Sequence, residues 1–352
     1  MSNATIKDVA RRAGVGLGTV SRVLNNHPRV SADTRERVLH AIAELGFRPN
    51  ATARRLPRKT DLRHIGVLTH PFVKNYHSIA ERLRGMQRAL EAAGKDLEIV
   101  LFVASSPEHY AAHLASITQN TPVMGLLIID LDLTPQQEQI LRSAHIPFVG
   151  INNFIGRDWP CVSTNNEEGG YVATRFLTAL GHRRIAYIGD NLFDSFGFPT
   201  SQARYTGYAR ALNEVGIHLN TRYVKLGDHS YETAGRLTRE LVALAQPPTA
   251  IFAMSDLQAA GCIGALREMN LRVPDEISVM GYDDTELALS LGLTTVRQHL
   301  ELSGQLGIEW LLAMIESREL PVPPALPPVE VVTRLTTGAP RKTSSRDAEE
   351  TE

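Results

Sequence analysis

Three sets of residues have types and spacings that could do chemistry. Near the N-terminus, Gly18, Ser21 and Arg22 share one side of a stretch whose other side is Val20, Val23 and Leu24. At about 100° per residue this is an amphipathic helix. Its polar side carries a guanidinium suited to guanine O6 and N7, a pairing worth about 1–3 kcal/mol of base discrimination. A phosphate contact is the other use of the same arginine. Leu17, on the flank of the apolar side, either touches a thymine methyl or packs inward. A second set sits at the ends of short apolar runs: His70 and Tyr76, Asn152, Ser255 and Asp283, with Arg204 opening a helix-like stretch and His229 in a loop. Ligands of open α/β sheets are met at such strand ends. The third set is His109 and His113, four apart on one helix face. No third ligand is in view, so no metal is expected.

Catalytic patterns are missing from the chain. There is no G-x-S-x-G elbow, P-loop or H-E-x-x-H. The glycines of Gly14–Gly18 follow a helix rather than a strand and lack the third spaced glycine of a dinucleotide fingerprint. Glu167-Glu168 and Glu349-Glu350 read as solvated charge. Asp256 reads as a helix cap, and Cys161 and Cys262 as small buried residues. No catalytic residue, cofactor or metal is expected, and an α/β enzyme is the least favoured class.

The elements that position these residues fall into two textures. In the first 60 residues, Ile6, Val9, Ala10 and Ala13 mark one helix face, with Thr5 and Asp8 spaced as a capping box. Gly14-Val15-Gly16 is a tight turn before the polar helix described above, which His27-Pro28 ends. Ser31 caps a third helix with Asp33 in its first turn; Val38, Leu39, Ile42 and Leu45 form its expected buried stripe, and Gly46 ends it. Two short helices around a glycine turn read as helix-turn-helix. Between Pro49 and Pro57 lies a helix-compatible stretch too short to be stable alone.

From Arg63 onward, apolar runs alternate with helical patterns. The runs are Ile65–Thr69, Leu97–Ala104, Met124–Asp130 and Phe148–Ile151, then Ile185–Gly189, Thr249–Met254 and Ile277–Tyr282. Helix-like stretches between them include Ser78–Ala93, Gly169–Leu180, Tyr205–Val215, Tyr231–Ala245 and Ala259–Met269. This alternation predicts parallel sheets covered on both faces. A break near Cys161–Asn166 divides them into two similar lobes. The proline-rich Pro321–Pro328 leads to a last strand, Val329–Leu335.

The 352 residues are 43% hydrophobic and 21% charged, which fits two or three globular domains rather than a disordered chain. The longest apolar runs, such as Ile99–Ala104 and Gly125–Ile129, fall far short of the roughly 20 residues a membrane helix needs. The N-terminus has no apolar signal core, and two distant cysteines make neither a disulfide framework nor a zinc knuckle. A cytoplasmic protein is expected. Residues 1–63 carry 13 Lys/Arg against 5 Asp/Glu, while the remaining 289 carry 24 against 33. A basic head on an acidic body implies that only the head meets a polyanion.

The segments T-I-K-D-V-A-R-R-A-G-V-G-L-G-T-V-S-R-V-L-N and V-S-A-D-T-R-E-R-V-L-H-A-I-A-E-L-G-F-R-P-N resemble the N-terminus of the lactose-repressor (LacI/GalR) family. The likeness continues through A-R-Y-T-G-Y, I-F-A-M-S-D-L-Q-A-A-G, I-S-V-M-G-Y-D-D-T and T-T-V-R-Q to T-T-G near Thr336. The resemblance implies an α/β protein with a helix-turn-helix head and a two-lobed, periplasmic-binding-protein-like body with parallel sheets. It implies a DNA-binding domain at 1–48 and a hinge at 49–60. The N-terminal lobe would take 61–162 with 291–321, and the C-terminal lobe 163–290 with 322–338. The tail at 339–352 is expected to be disordered.

It further implies DNA contacts from Thr5, Leu17, Gly18, Thr19, Ser21, Arg22, Asn25, Arg29, Asn50, Ala53 and Leu56. Leu56 matches the leucine that wedges into the minor groove from a hinge that becomes helical on DNA. A leucine capping the body is its alternative. Paired hinges require a homodimer on a pseudo-palindromic operator. Arg204 resembles a donor fork for effector oxygens and Asp283 a hydroxyl acceptor. With His70, Tyr76, Asn152, His229, Ser255 and Gln298 they make the expected effector site. Loop residues Phe193, Phe196 and Phe198, with Trp159 and Tyr76, either stack on a sugar face or pack locally. The chain departs from the family at Gly16 and Gly18 in the head, and at Asn152, His229 and Ser255 in the body. The expected function is a transcriptional repressor controlled by a sugar or sugar derivative, with a purine or other metabolite as corepressor the alternative.

Overall fold

The computed structural model describes residues 6–24, 30–45, 64–70, 76–119, 123–152, 159–192, 199–316 and 325–341. They form two units, Met1–Leu62 and Arg63–Glu352. The head unit is three helices, α1 (Ile6–Ala13), α2 (Leu17–Leu24) and α3 (Ala32–Glu44). Gly14, at φ 64°, ends α1. Its amide donates to the Arg11 carbonyl at 3.4 Å and that of Val15 to Ala10 at 3.0 Å, the paired bonds of a Schellman stop. Gly16 then opens α2, its carbonyl taking the amides of Thr19 and Val20. Val9, Ala10 and Ala13 pack on Val20, Val23, Val38 and Ala41. The expected stripe on α3 is corrected at one place: Leu39 is 52% exposed. Val38, Ala41, Ile42 and Leu45 do the packing instead, because 39 lies one step off that face.

The body unit has two parallel sheets. The first contains β1 (His64–Thr69), β2 (Glu98–Val103), β3 (Gly125–Ile129), β4 (Phe148–Ile151) and β5 (Cys161–Val162), in the order β2-β1-β3-β4-β5. Helices α4 (Tyr76–Ala92), α5 (Pro107–Gln119) and α6 (Pro135–Ser143) connect them. Alternate residues serve opposite faces: Leu127 and Ile129 pack with Met86, Ile308 and Leu311, whereas Leu126 and Ile128 pack with Tyr110, Leu114 and Leu141. A strand buried on both faces reads as a continuous apolar run, which is why these runs were visible in sequence.

The second sheet has β6 (Ile185–Asp190), β7 (Val224–Gly227), β8 (Ala250–Ala253) and β9 (Ser278–Met280), in the order β7-β6-β8-β9. It is covered by α7 (Asn166–Ala179), α8 (Pro199–Glu214), α9 (Tyr231–Val242) and α10 (Asp256–Glu268), with α11 (Glu286–Leu291) beyond β9. The antiparallel pair β10 (Thr295–Arg297) and β11 (Glu330–Val332) extends this lobe. Thr294 bridges to Met280 and Arg297 to Asp283. Residues 294–297, expected in the first lobe, therefore belong with the second, because their backbone pairs with the β9 edge. α12 (Leu300–Ile315) returns to pack on β3 and β4. Leu326 still packs in the first lobe, whereas Val329 and Val331 pack in the second, so the last crossing falls later than the expected 322.

Glycines let helices cross closely in both lobes. A Cβ on Gly85 of α4 would overlap the Glu301 carbonyl, and one on Gly304 of α12 the Arg82 carbonyl. A Cβ on Gly170 of α7 would overlap the Arg204 carbonyl, and one on Gly207 of α8 the Glu167 carbonyl. Two of these closely crossed helices, α4 and α8, carry the arginines of the cleft described next.

Candidate functional site

Cleft and head are separate sites. In the head, α2 presents Leu17 at 45% exposure, with Gly18 and Arg22 also exposed and Thr19 half-buried. Nothing lies within 4 Å of where a Cβ on Gly18 would stand, so the backbone itself is open there. Leu17 is thus not a core residue of the head. Arg12 bonds Glu44 at 2.7 Å, tying α1 to α3 and leaving α2 free of that pairing. Ser21 lies on α2 with its side chain outside the description. Thr5, Asn25, Arg29, Asn50, Ala53 and Leu56 lie outside the described residues, as do the hinge at 49–60 and the tail beyond 341.

The cleft of the body is lined by Ser78, Arg82, Asp130, Asn152, Thr200, Arg204, His229, Met254, Asp283 and Gln298. Ser78 and Arg82 come from the first two turns of α4, and Thr200 and Arg204 from the first two turns of α8. Residues four apart share a helix face, so each helix aims a hydroxyl and a guanidinium at the same space. Asp130, Asn152 and Asp283 follow strand ends, with φ of 55°, 59° and 123°. Such left-handed backbone turns the side chain back over the sheet edge at a cost.

A hydrogen-bonded relay crosses the cleft. Arg204 Nε donates to Asn166 Oδ1 at 2.9 Å. Asn166 Nδ2 donates to Asn152 Oδ1 at 2.8 Å. Asn152 Nδ2 donates to Asp130 Oδ1 at 2.6 Å, and Arg82 Nη1 to Asp130 Oδ2 at 3.2 Å. Arg204 also donates to the Met254 carbonyl, stands 3.7 Å from Asp283, and lies 3.6 Å above the Tyr282 ring. Gln298 Nε2 donates to Asp283. Burial pushes the Asp283 carboxyl up, against the pull of Arg204, His229 and Arg82. These groups close on about 50 Å³. That is far below the roughly 300–1,000 Å³ of small-molecule pockets.

Of the expected effector residues, Asn152, Arg204, His229, Asp283 and Gln298 do line the cleft. His229 Nδ1 pairs with Asp190 at 2.9 Å. Ser255 is the N-cap of α10, accepting the Gln258 amide, and is not among the lining residues. Asp256, expected to cap, instead accepts from the Thr285 amide and from the Thr285 and Thr295 hydroxyls. Burial and the Asp283 carboxylate push its carboxyl up, against those hydrogen bonds. His70 is buried beyond β1 and does not line the cleft. Tyr76 starts α4 with its side chain outside the description, and Phe193, Phe196 and Phe198 lie outside the described residues. Trp159 is a core residue, 5.4 Å from the Phe148 ring. Glu167 and Glu168 are solvated, each 42% exposed, and also pair with Arg210. His113 bonds the Val103 carbonyl, and no metal-holding cluster occurs among the described residues. Arg82, Asp130, Asn166 and Asp190 were missed. Their signal in sequence was only a polar residue at a helix start or strand end.

A basic helix-turn-helix head and a body that gathers polar side chains between two parallel-sheet lobes define a DNA-binding regulator that answers to a small molecule. Residues 5–50 match the family described as bacterial regulatory proteins, lacI family, and residues 174–337 the periplasmic binding protein-like domain. The HTH-type transcriptional repressor PurR of Vibrio vulnificus (strain CMCP6) is 34% identical over 326 residues, 90% of this chain and 93% of that one. PurR of Erwinia tasmaniensis is 37% identical over 320 residues, covering 90% and 91%. The Lac repressor dimer bound to operator and the anti-inducer ONPF superposes with a TM-score of 0.68 at 30% identity, covering 96% of this chain and 100% of that one. The transcriptional regulator CelR in complex with cellobiose gives 0.67 at 30% identity, covering 95% and 99%. The chain belongs to the LacI family of bacterial regulatory proteins, and it is a ligand-responsive transcriptional repressor.

Proposed function

We propose that the chain is a homodimeric, non-enzymatic, cytoplasmic repressor of a pseudo-palindromic operator. Its effector is a sugar or sugar derivative held between the lobes by Arg204 and Asp283. The observation that carries this is the pair itself: a guanidinium and a carboxylate 3.7 Å apart, with an aromatic ring beneath the guanidinium. A planar donor fork beside an acceptor matches vicinal hydroxyls, which both donate and accept. The cellobiose complex of the neighbour CelR supports a carbohydrate guest. A guest that enters replaces bonds of the relay, and the relay joins the two lobes. Effector binding is thereby linked to lobe arrangement, and through the 49–60 hinge to the operator. In the head, Arg22 reads base edges, with Leu17, Gly18, Thr19 and Ser21 beside it and Thr5, Asn25, Arg29, Asn50, Ala53 and Leu56 completing the contact.

A thermal-shift screen of sugars against purine bases tests the effector class. About 2.7 kcal/mol of stabilisation is expected at a hundredfold excess over Kd. Purines that stabilise where sugars do not would overturn the carbohydrate reading. Turnover of any sugar would overturn the non-enzymatic one.

A further inference from the structure

Arg82 is the unbalanced member of the cleft. Its side chain is 2% exposed, and the carboxylate it meets contributes one oxygen, 3.2 Å from Nη1. The other oxygen of Asp130 is taken by the Asn152 amide. The two-point pairing that arginine and carboxylate prefer is therefore lost. Arg82 Nε is buried without a hydrogen-bond partner, and so is Gln298 Oε1 in the same cleft.

Arg204 supplies the internal comparison. It is as deeply buried, at 4%, but its Nε and Nη1 are both bonded and its face is stacked on Tyr282. Two helices present two arginines to one space, and only one of them has a bonded Nε. An unmet donor on a buried cation costs free energy, and such orphans in native proteins need an explanation. The first turns of α4 and α8 also line this space through Ser78 and Thr200. Two helix N-termini thus add their positive ends to the two guanidiniums.

We propose that Arg82 is a specificity-determining residue that binds an anionic group, a carboxylate or a phosphate, on a hydroxylated effector whose hydroxyls face Arg204 and Asp283. An incoming anion would satisfy the orphan Nε and complete the planar pairing that Asp130 leaves half-made. This rests on the carbohydrate reading of the cleft given above.

The test is calorimetry and thermal shift on the full chain with matched probes: D-glucose, D-gluconate, D-glucuronate, D-glucose 6-phosphate and hypoxanthine, each at millimolar concentration. At least one acidic probe is expected to raise the melting temperature where D-glucose does not, the carboxylate and phosphate arms telling which anion fits. Arg82→Met is expected to weaken that probe about tenfold or more, and Arg82→Lys by less, because the charge is kept. The proposal is overturned if no acidic probe shifts the melt, if D-glucose matches the acids, or if Arg82→Met binds the acid as the parent does. The parent chain's charge series decides the matter even if Arg82→Met fails to fold. Binding of D-glucose overturns the anionic group and keeps the carbohydrate reading, whereas a shift by hypoxanthine alone overturns both.

Discussion

Arg22 and His229 show how a single side chain is set to its task by what surrounds it. Arg22 is exposed on α2. Among the described residues it lies outside the head's core cluster, so its loss should appear in DNA binding. Arg22→Ala is expected to weaken operator binding by about 1–3 kcal/mol, with a smaller loss on random duplex. Competition binding at fixed salt checks this, and equal losses on both DNAs would reassign Arg22 to phosphate. His229 titrates. Burial by itself lowers an imidazole, but Asp190 at 2.9 Å outweighs it, with Asp283 adding, so the net shift is upward. A raised folded-state value gives stability that is complete below the unfolded value of about 6.5 and is lost as pH climbs through the folded value. The melting temperature should therefore fall across that window. His229→Gln should flatten the fall, and an unchanged pH profile in the variant would count against the Asp190 pairing.

At the scale of elements, the glycines make opposite predictions for one substitution. Gly85 lies where α4 crosses α12, and an added methyl would meet the Glu301 carbonyl of the neighbouring helix. Backbone cannot rotate away as a side chain does, so Gly85→Ala should destabilise by about 1–3 kcal/mol or more. Gly18 lies in the first turn of α2 with nothing within 4 Å of its would-be Cβ. Gly18→Ala should stabilise the head, by less than the roughly 0.5–1 kcal/mol of a helix-interior glycine. Denaturant unfolding of the two variants checks both signs. A stabilised Gly85→Ala would mean that α4 and α12 are not held as closely as this crossing requires. The same crossings explain why α4 and α8 can serve as rigid mounts for Arg82 and Arg204.

For the whole molecule, the consequence is reciprocity. If a guest at the cleft changes operator affinity, operator must change guest affinity by the same factor, typically about 1–3 kcal/mol. Asp283→Asn should abolish the response to effector while operator binding persists. Asn166→Ala should shrink the coupling, because it cuts the relay between Asn152 and Arg204. Titrating operator with and without saturating effector, and effector with and without operator, measures both arms. Unequal factors would show that the two events are not linked through one equilibrium.

The chain alone determined the helix-turn-helix head, the two parallel-sheet lobes and five of the eight expected effector residues that line the cleft. The reason is local: helix faces repeat at short range, and strands buried on both sides stay apolar throughout. Elements with weak faces escaped. On α6 Leu141 is the buried residue, and β7 is only half-buried along its length, so neither carries a clear period. Only the tertiary structure could decide that Ser255 caps α10 and that Arg82 meets Asp130, 48 residues away. It also decided that Asn166 bridges Asn152 and Arg204 and that 294–297 extend the second sheet. Pairings of that kind depend on where separate strands end in space, and distance along the chain carries no record of it.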